Sequence, residues 1–287
     1  MNWLLLTALA ILSRSFQSIT TKVMSNRAKV SSITQSVLFL GTAFILSLLI
    51  SPFVGGISFE GISNVWITTV IMVMSLTVGN ILFFRGLSKL EASITAIAFS
   101  SILLWGAILS VIILGSSFSP TQMIGIALLG CAILLVQKNS KSYKVDPSIL
   151  YIILSALLFA IFQVSSAELA KTMPAGTYLF LSFGGATLVT YLFNINKIKQ
   201  DYKYLVAHKV SIAKATVLAA VCSTGYFIFS YFAYRYAPDR GVVVVLLTSQ
   251  VILSVLLGIL LLNEKDRLPL KMVSGLLALI AGILIKS

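Results

Sequence analysis

The sequence predicts an all-α integral membrane protein of ten transmembrane helices, built as two inverted five-helix repeats. Three observations carry this reading. Hydrophobic residues make up 58 % of the 287 residues and charged residues 10 %, with a mean hydropathy of +1.02. A soluble domain carries about 25 % charged residues. Apolar runs long enough to span a bilayer fill most of the chain. The later helices of the two halves also resemble each other at a nearly constant offset.

About 20 residues at 1.5 Å rise cross a hydrocarbon core of ~30 Å. By that measure helices are expected at residues 3–24, 33–51, 66–86, 93–113, 119–137, 148–170, 177–193, 214–236, 241–262 and 268–285. The breaks between them have local causes. Ser51-Pro52 followed by Gly55-Gly56 ends the second span, because proline and paired glycines interrupt helices. Pro120 suits the first turn of the fifth span. Pro174-Ala175-Gly176 and Pro238-Asp239-Arg240-Gly241 are turns, and Pro269 opens the tenth span. Residues 138–147 form a polar, basic linker, and 194–213 the longest loop, which carries the single histidine, His208. Residues 3–12 read as the start of helix one and not as a signal peptide, since no basic segment precedes them.

The net charge of +13 does not indicate nucleic acid. Its lysines and arginines sit singly or in short groups between apolar runs, where they orient the chain and anchor helix ends at anionic headgroups. Cys131 and Cys222 fall inside predicted helices with no CxxC and no Cys/His cluster. No metal site, cofactor or disulfide framework is therefore expected. An intramembrane enzyme would need paired acids, a Ser/His dyad or a metal cluster within the spans, and the sequence offers none.

Phe16-Gln17 in helix one matches Phe162-Gln163 in helix six, and at the same offset Lys22 falls opposite Glu168. At an offset of 148, Phe83-Phe84 matches Tyr231-Phe232, Glu91 matches Asp239, and Ser100-Ser101 matches Thr248-Ser249. The halves are therefore 1–140 and 148–287. Five helices is an odd number, so the second half enters the membrane in the opposite sense. Inverted repeats are a common plan of secondary transporters, whose halves exchange conformations around a midplane site.

On these residues the chain resembles the drug/metabolite transporter superfamily, EamA type. The resemblance rests on FFRGLSKLEASITAIAFSSILLWGAILSVIILGSSFSPTQMIGIALLGCAILL (83–135) and on YFAYRYAPDRGVVVVLLTSQVILSVLLGILLLNEKDRLPLKMVSGLLALIAGIL (231–284). Asn263-Glu264 resembles the family's glutamate turn after the penultimate helix. Two departures are visible. The proline often found in the fourth and ninth helices of such proteins is absent, and Ser116 stands where the first half would match Glu264. The resemblance implies a membrane carrier of small solutes, with a lipid-carrier flippase or a drug or organic-cation exporter as the alternatives within the same superfamily. The implied partners are a small-molecule substrate and the lipid bilayer, with the chain a monomer or a homodimer.

Sixteen lysines and arginines fall on the side of loops 1–2, 3–4, 5–6, 7–8 and 9–10, against Lys171, Arg235, Arg240 and Lys286 on the other. The positive-inside rule makes the first side cytoplasmic. It places the protein in the plasma membrane with both termini outside, opposite to many proteins of the resembling family.

The candidate substrate site centres on Arg14, about 11 residues from either end of helix one. An arginine at that depth costs roughly 2.5–3.5 kcal/mol on insertion scales and should face a cavity or a partner. Gln17 shares its face at i+3 spacing. Gln163 and Ser166 on helix six, Asn80 on helix three, Gln250 on helix nine, Tyr226 and Tyr231 on helix eight and Trp105 on helix four complete a polar centre with aromatic walls. Arg14 either meets substrate, or snorkels or holds backbone carbonyls between helices; the glutamines and Asn80 either meet substrate or bond between helices, and the aromatic residues either line the site or serve packing or the interfacial belt. None of the eight acids lies at a predicted midplane; Glu168 is nearest. That disfavours proton-coupled cation export, which needs a deep carboxylate, and favours a substrate bearing a carboxylate or phosphate.

Overall fold

A computed structural model describes residues 2–90, 95, 98–137, 147–262, 269, 273, 276–277, 280–281 and 283–285. Helix is the regular structure of these residues, and it falls into ten segments in chain order. They are α1 (Trp3–Arg27), α2 (Ser32–Ile50), α3 (Trp66–Leu87), α4 (Ile102–Leu114), α5 (Pro120–Gln137) and α6 (Pro147–Leu169) in the first part of the chain. After them come α7 (Ala175–Ala207), α8 (Lys209–Tyr236) and α9 in two pieces, Arg240–Leu247 and Gln250–Leu262. The described residues from 269 to 285 are helical and form α10. Most of the basic linker, Glu91 and the Asn263-Glu264 turn lie outside the described residues.

The polarity of the surface is that of a protein solvated by lipid. Ile45, Leu49, Ile67, Ile112 and Phe193 are exposed, while Gln17, Gln35, Asn80, Gln163 and many serines and threonines are buried. In lipid there is no hydrophobic gain from burying leucine, so packing and interhelical bonds place small and polar residues inside. Six described helices, α1, α2, α3, α6, α7 and α8, are each long and apolar enough to cross a membrane.

Helix ends follow their sequence. The Asn2 side chain accepts from Leu4 N at 3.0 Å and starts α1; Asp239 Oδ1 accepts from Gly241 N at 2.7 Å and starts α9. Side-chain oxygens at these positions satisfy amides that the helix itself leaves bare. Gly115, at φ +67°, closes α4 in a conformation that costs other residues far more.

The inverted plan appears in the packing. The most extensive interfaces pair α1 with α8 and α3 with α6, so the first helix of each half lies along the third helix of the other. Ser13 and Phe159, 146 residues apart, each sit against a glycine of the partner helix, Gly225 and Gly79. At the end of α3, a Cβ on Gly86 would fall inside the Ile152 side chain and 3.2 Å from Ser148 O, so the absence of a side chain sets how close α3 and α6 come. A second cluster, including Leu103, Leu129, Val245, Ile252 and Ala281, joins α4, α5, α9 and α10.

Three features differ from the sequence expectation. The residues expected to form a long loop, 194–213, are helical apart from a break at His208. Nothing from Ile195 to Ala207 stops a helix: the stretch has neither glycine nor proline. It also carries Lys197, Lys199, Gln200, Lys203 and Leu205, residue types that favour helix. The helix merely kinks at Asn194 (φ −135°, ψ 21°). Its extension is tied to the α1–α2 corner by Asp201, whose Oδ2 accepts from Ser31 N at 3.0 Å, Ser31 Oγ at 2.6 Å and Thr34 Oγ1 at 2.6 Å. Second, α7 widens into a π-helical turn at Phe180–Gly185, where Gly184 and Gly185 let Phe44 of α2 and Val73 of α3 press in.

Third, the fourth and ninth expected spans are interrupted, at Ser100-Ser101, which separates the helical Ala98 and Phe99 from α4, and at Thr248-Ser249 within α9. Ser101 Oγ donates to Ala98 O at 2.9 Å, and 148 residues on Ser249 Oγ donates to Leu246 O at 2.7 Å. The amides of Leu103 and Val251 reach back three residues, to Ser100 O and Thr248 O. Hydroxyls bonding back to the preceding turn bend helices, so these side chains make the bends without the proline that the sequence lacks.

Candidate substrate site

α1 carries Arg14 into the centre of the bundle, half-buried, with its face set by the packing of α1 against α8. The guanidinium carbon lies 5.0 Å from the Phe159 ring centroid on α6 and 5.2 Å from the Tyr226 centroid on α8. Cations within about 6 Å of an aromatic face are held by the ring quadrupole, most strongly when desolvated. Arg14 Nη1 also donates to Gln17 Oε1 at 2.8 Å. Among the described residues no carboxylate pairs with it; the ion pair found there is Arg240 with Glu168, at 3.0 Å.

Around this cation the polar groups are partly spent on one another. Gln163 Nε2 donates to the Tyr226 hydroxyl at 2.9 Å, while Gln163 Oε1 is buried with no partner. Ser166 Oγ donates to Phe162 O at 2.7 Å and accepts from the Tyr178 hydroxyl at 3.1 Å. Beside Arg14, Ser15 Oγ donates to Gln250 O at 3.1 Å, tying α1 to the break in α9. Gln250 Oε1 and Trp105 Nε1 are likewise buried without partners. Buried polar atoms are nearly always bonded, so these three mark places able to meet a polar ligand.

Thus the structure gathers Arg14, Gln17, Gln163, Ser166 and Tyr226, with Gln250 joined through Ser15. Asn80 is different: its Nδ2 donates to Leu76 O at 2.9 Å, one turn back in its own helix. Tyr231 lies further along α8, where its hydroxyl donates to Met173 O and accepts from Arg235 Nη1 at 3.2 Å. Trp105 packs against the main core from α4. Two ring residues escaped the sequence reading. Phe159 shares a face with Gln163 and Ser166 at i, i+4 and i+7, a signal that was available. Tyr178, whose ring centroid lies 5.1 Å from that of Tyr231, had none, because it stands on α7 and no spacing along the chain relates it to α8. Among the described residues no group of three or more metal-ligating side chains is found.

A lipid-solvated bundle of crosswise-packed repeats, with a polar cluster on its central helices, is a multi-pass membrane protein. The family model of the EamA-like transporter family matches residues 1–137 and again 146–287. The chain therefore belongs to the EamA-like transporter family, of the drug/metabolite transporter superfamily. One solved structure, described only as "Crystal structure of protein", has the same fold, with a TM-score of 0.71 over 98 % of this chain and 94 % of that one, at 14 % identity. No curated protein matches the sequence.

Proposed function

We propose that this transporter carries a small metabolite bearing a carboxylate or phosphate, such as an amino acid, by alternating access between its two repeats. The observation that carries the reading is Arg14, a cation at mid-depth held by two rings and a neutral amide, with no acid beside it among the described residues. A substrate anion supplies the missing charge, and the buried, unpartnered Gln163 and Gln250 oxygens support a substrate that also carries a donor such as an amine. The crosswise interfaces, α1 on α8 and α3 on α6, are the surfaces over which the halves exchange conformations. The basic side faces the cytoplasm of the plasma membrane and both termini face outward.

The test is a thermal-shift screen of purified protein against amino acids, nucleotides, sugars and organic cations, since a ligand of the folded state raises its stability as ln(1 + [L]/Kd). Anionic or zwitterionic solutes should stabilise the wild type. The shift should vanish in Arg14→Gln and return in part in Arg14→Lys, which keeps the charge but not the bidentate fork. Stabilisation by organic cations alone, or unchanged affinity in Arg14→Gln, overturns the reading. For orientation, a reporter fused after Ser287 should be active outside; activity only in the cytoplasm reverses the assignment.

A further inference from the structure

On the face opposite the lysine-rich loops the sequence places four basic residues, of which Lys171, Arg235 and Arg240 are described. Arg240 is occupied: it donates to Glu168 at 3.0 Å and to Ala167 O at 2.8 Å. The other two come from different helices, Lys171 just past α6 and Arg235 near the end of α8, and both line one cleft of about 310 Å³. Gly55, Thr172 and Pro174 stand in its wall with the apolar Val54, Met173 and Ala175.

Both are exposed, and among the described residues neither cation has an ion-pair partner. Arg235 is aimed by a buried anchor, Tyr231, which accepts from its Nη1 and donates to Met173 O on the cleft's floor. Glu60 lines a separate niche beside Thr172 and Met173. It is one negative charge against two positive ones, so the cleft keeps a net positive charge. Arg235 is nine residues beyond Tyr226 on α8, so the cleft stands roughly 13 Å along the helix from Arg14. Between them lie the rings of Tyr231, Tyr178 and Phe227, packed 5.1 and 6.0 Å apart.

We propose that Lys171 and Arg235 form a receiving site for small carboxylate or phosphate anions, at the mouth of the pathway that leads to Arg14. The part played in transport rests on the reading of Arg14 given above; the preference of the cleft for anions does not. Two unpaired cations in one cleft raise the local concentration of anions and repel cations. The packed tyrosine and phenylalanine rings stand between the cleft and Arg14, so an anion held in the cleft waits outside the central site.

The test reads the potential of the cleft directly. Thr172→Cys is introduced after Cys131→Ser and Cys222→Ser, in protein purified in an uncharged detergent. The thiol is modified with negatively charged sulfonatoethyl methanethiosulfonate or positively charged trimethylammonioethyl methanethiosulfonate. At low salt the ratio of the two rates should exceed that for mercaptoethanol on the order of tenfold. Lys171→Gln with Arg235→Gln should abolish the excess, and Lys171→Glu with Arg235→Glu should invert it. Inorganic phosphate should slow the anionic reagent in the parent and not in the double variant. A ratio equal to that of the free thiol, or one that survives Lys171→Gln with Arg235→Gln, overturns the proposal. Protection by phosphatidylglycerol but not by inorganic phosphate also overturns it, and makes the cleft a lipid-headgroup site. Arg14→Gln separates the two readings: it should leave the cleft ratio intact, whatever it does to solute binding.

Discussion

Arg14 and Gln17, one turn apart on α1, share a hydrogen bond of 2.8 Å from Nη1 to Oε1, so a cation midway along the helix rests on a neutral amide instead of a carboxylate. Gln17→Glu would place a fixed counter-ion where a substrate anion is proposed to bind. That variant should fold and melt no lower than the wild type, because the charge-assisted bond is about twice as strong as the neutral one. Its affinity for an anionic substrate should fall about tenfold or more, which corresponds to about 1.4 kcal/mol. Melting temperature and solute affinity, measured on the same preparation, decide it. Equal affinity in the variant would mean that Arg14 does not meet the substrate.

Tyr226 contributes a ring to Arg14 and a hydroxyl to Gln163. Tyr226→Phe keeps the ring and should cost only about 1 kcal/mol, the worth of one hydrogen bond. Tyr226→Ala removes the ring as well and should cost about 3–5 kcal/mol, as for other aromatic truncations in a packed interior. Chemical denaturation in detergent measures both. Similar losses in the two variants would show that the hydroxyl, and not the face presented to Arg14, is what counts.

Gly86 tests the α3–α6 interface. A methyl there meets the Ile152 side chain well inside contact distance, so Gly86→Ala should destabilise by about 1–3 kcal/mol, the usual cost of overpacking. Ile152→Ala in the same chain should recover part of that loss, since the two sites touch and their effects are not additive. Additive losses would place the strain on the Ser148 backbone instead.

Glu168 stands at the mouth of the bundle, with its side chain 40 % exposed and paired to Arg240. Arg240 is only 13 % exposed, but it also donates to Ala167 O and a glutamine oxygen can still accept from it, so Glu168→Gln should lower the melting temperature only modestly. Among the described residues no carboxylate stands beside Arg14. Uptake into proteoliposomes down a substrate gradient should therefore survive collapse of the proton gradient, in the wild type and in Glu168→Gln alike. Strict dependence on a pH gradient, lost in Glu168→Gln, would make this residue the proton carrier.

Several elements could be read from the chain because a bilayer imposes them. A hydrocarbon core of fixed thickness requires apolar runs of fixed length, so α1, α2, α3 and α6 lie within a few residues of the expected spans. The match of Ser100-Ser101 with Thr248-Ser249 also held a structural meaning, since both pairs stand at helix breaks. The extension of α7 was not legible, because polarity marks where a helix leaves the lipid and not where the helix ends.

Hydropathy and position along the chain were enough to establish the membrane class and the repeat, and to place Arg14 midway along the first helix. How each helix is turned about its own axis emerged only from packing in three dimensions. That rotation brings Phe159 and Tyr226 onto Arg14, leaves Asn80 bonded to its own helix, and sets Lys171 and Arg235 into one cleft. Spacing fixes which residues share a helical face. The direction of that face depends on close packing against neighbouring helices, through contacts such as Gly79 on Phe159 and Gly225 on Ser13.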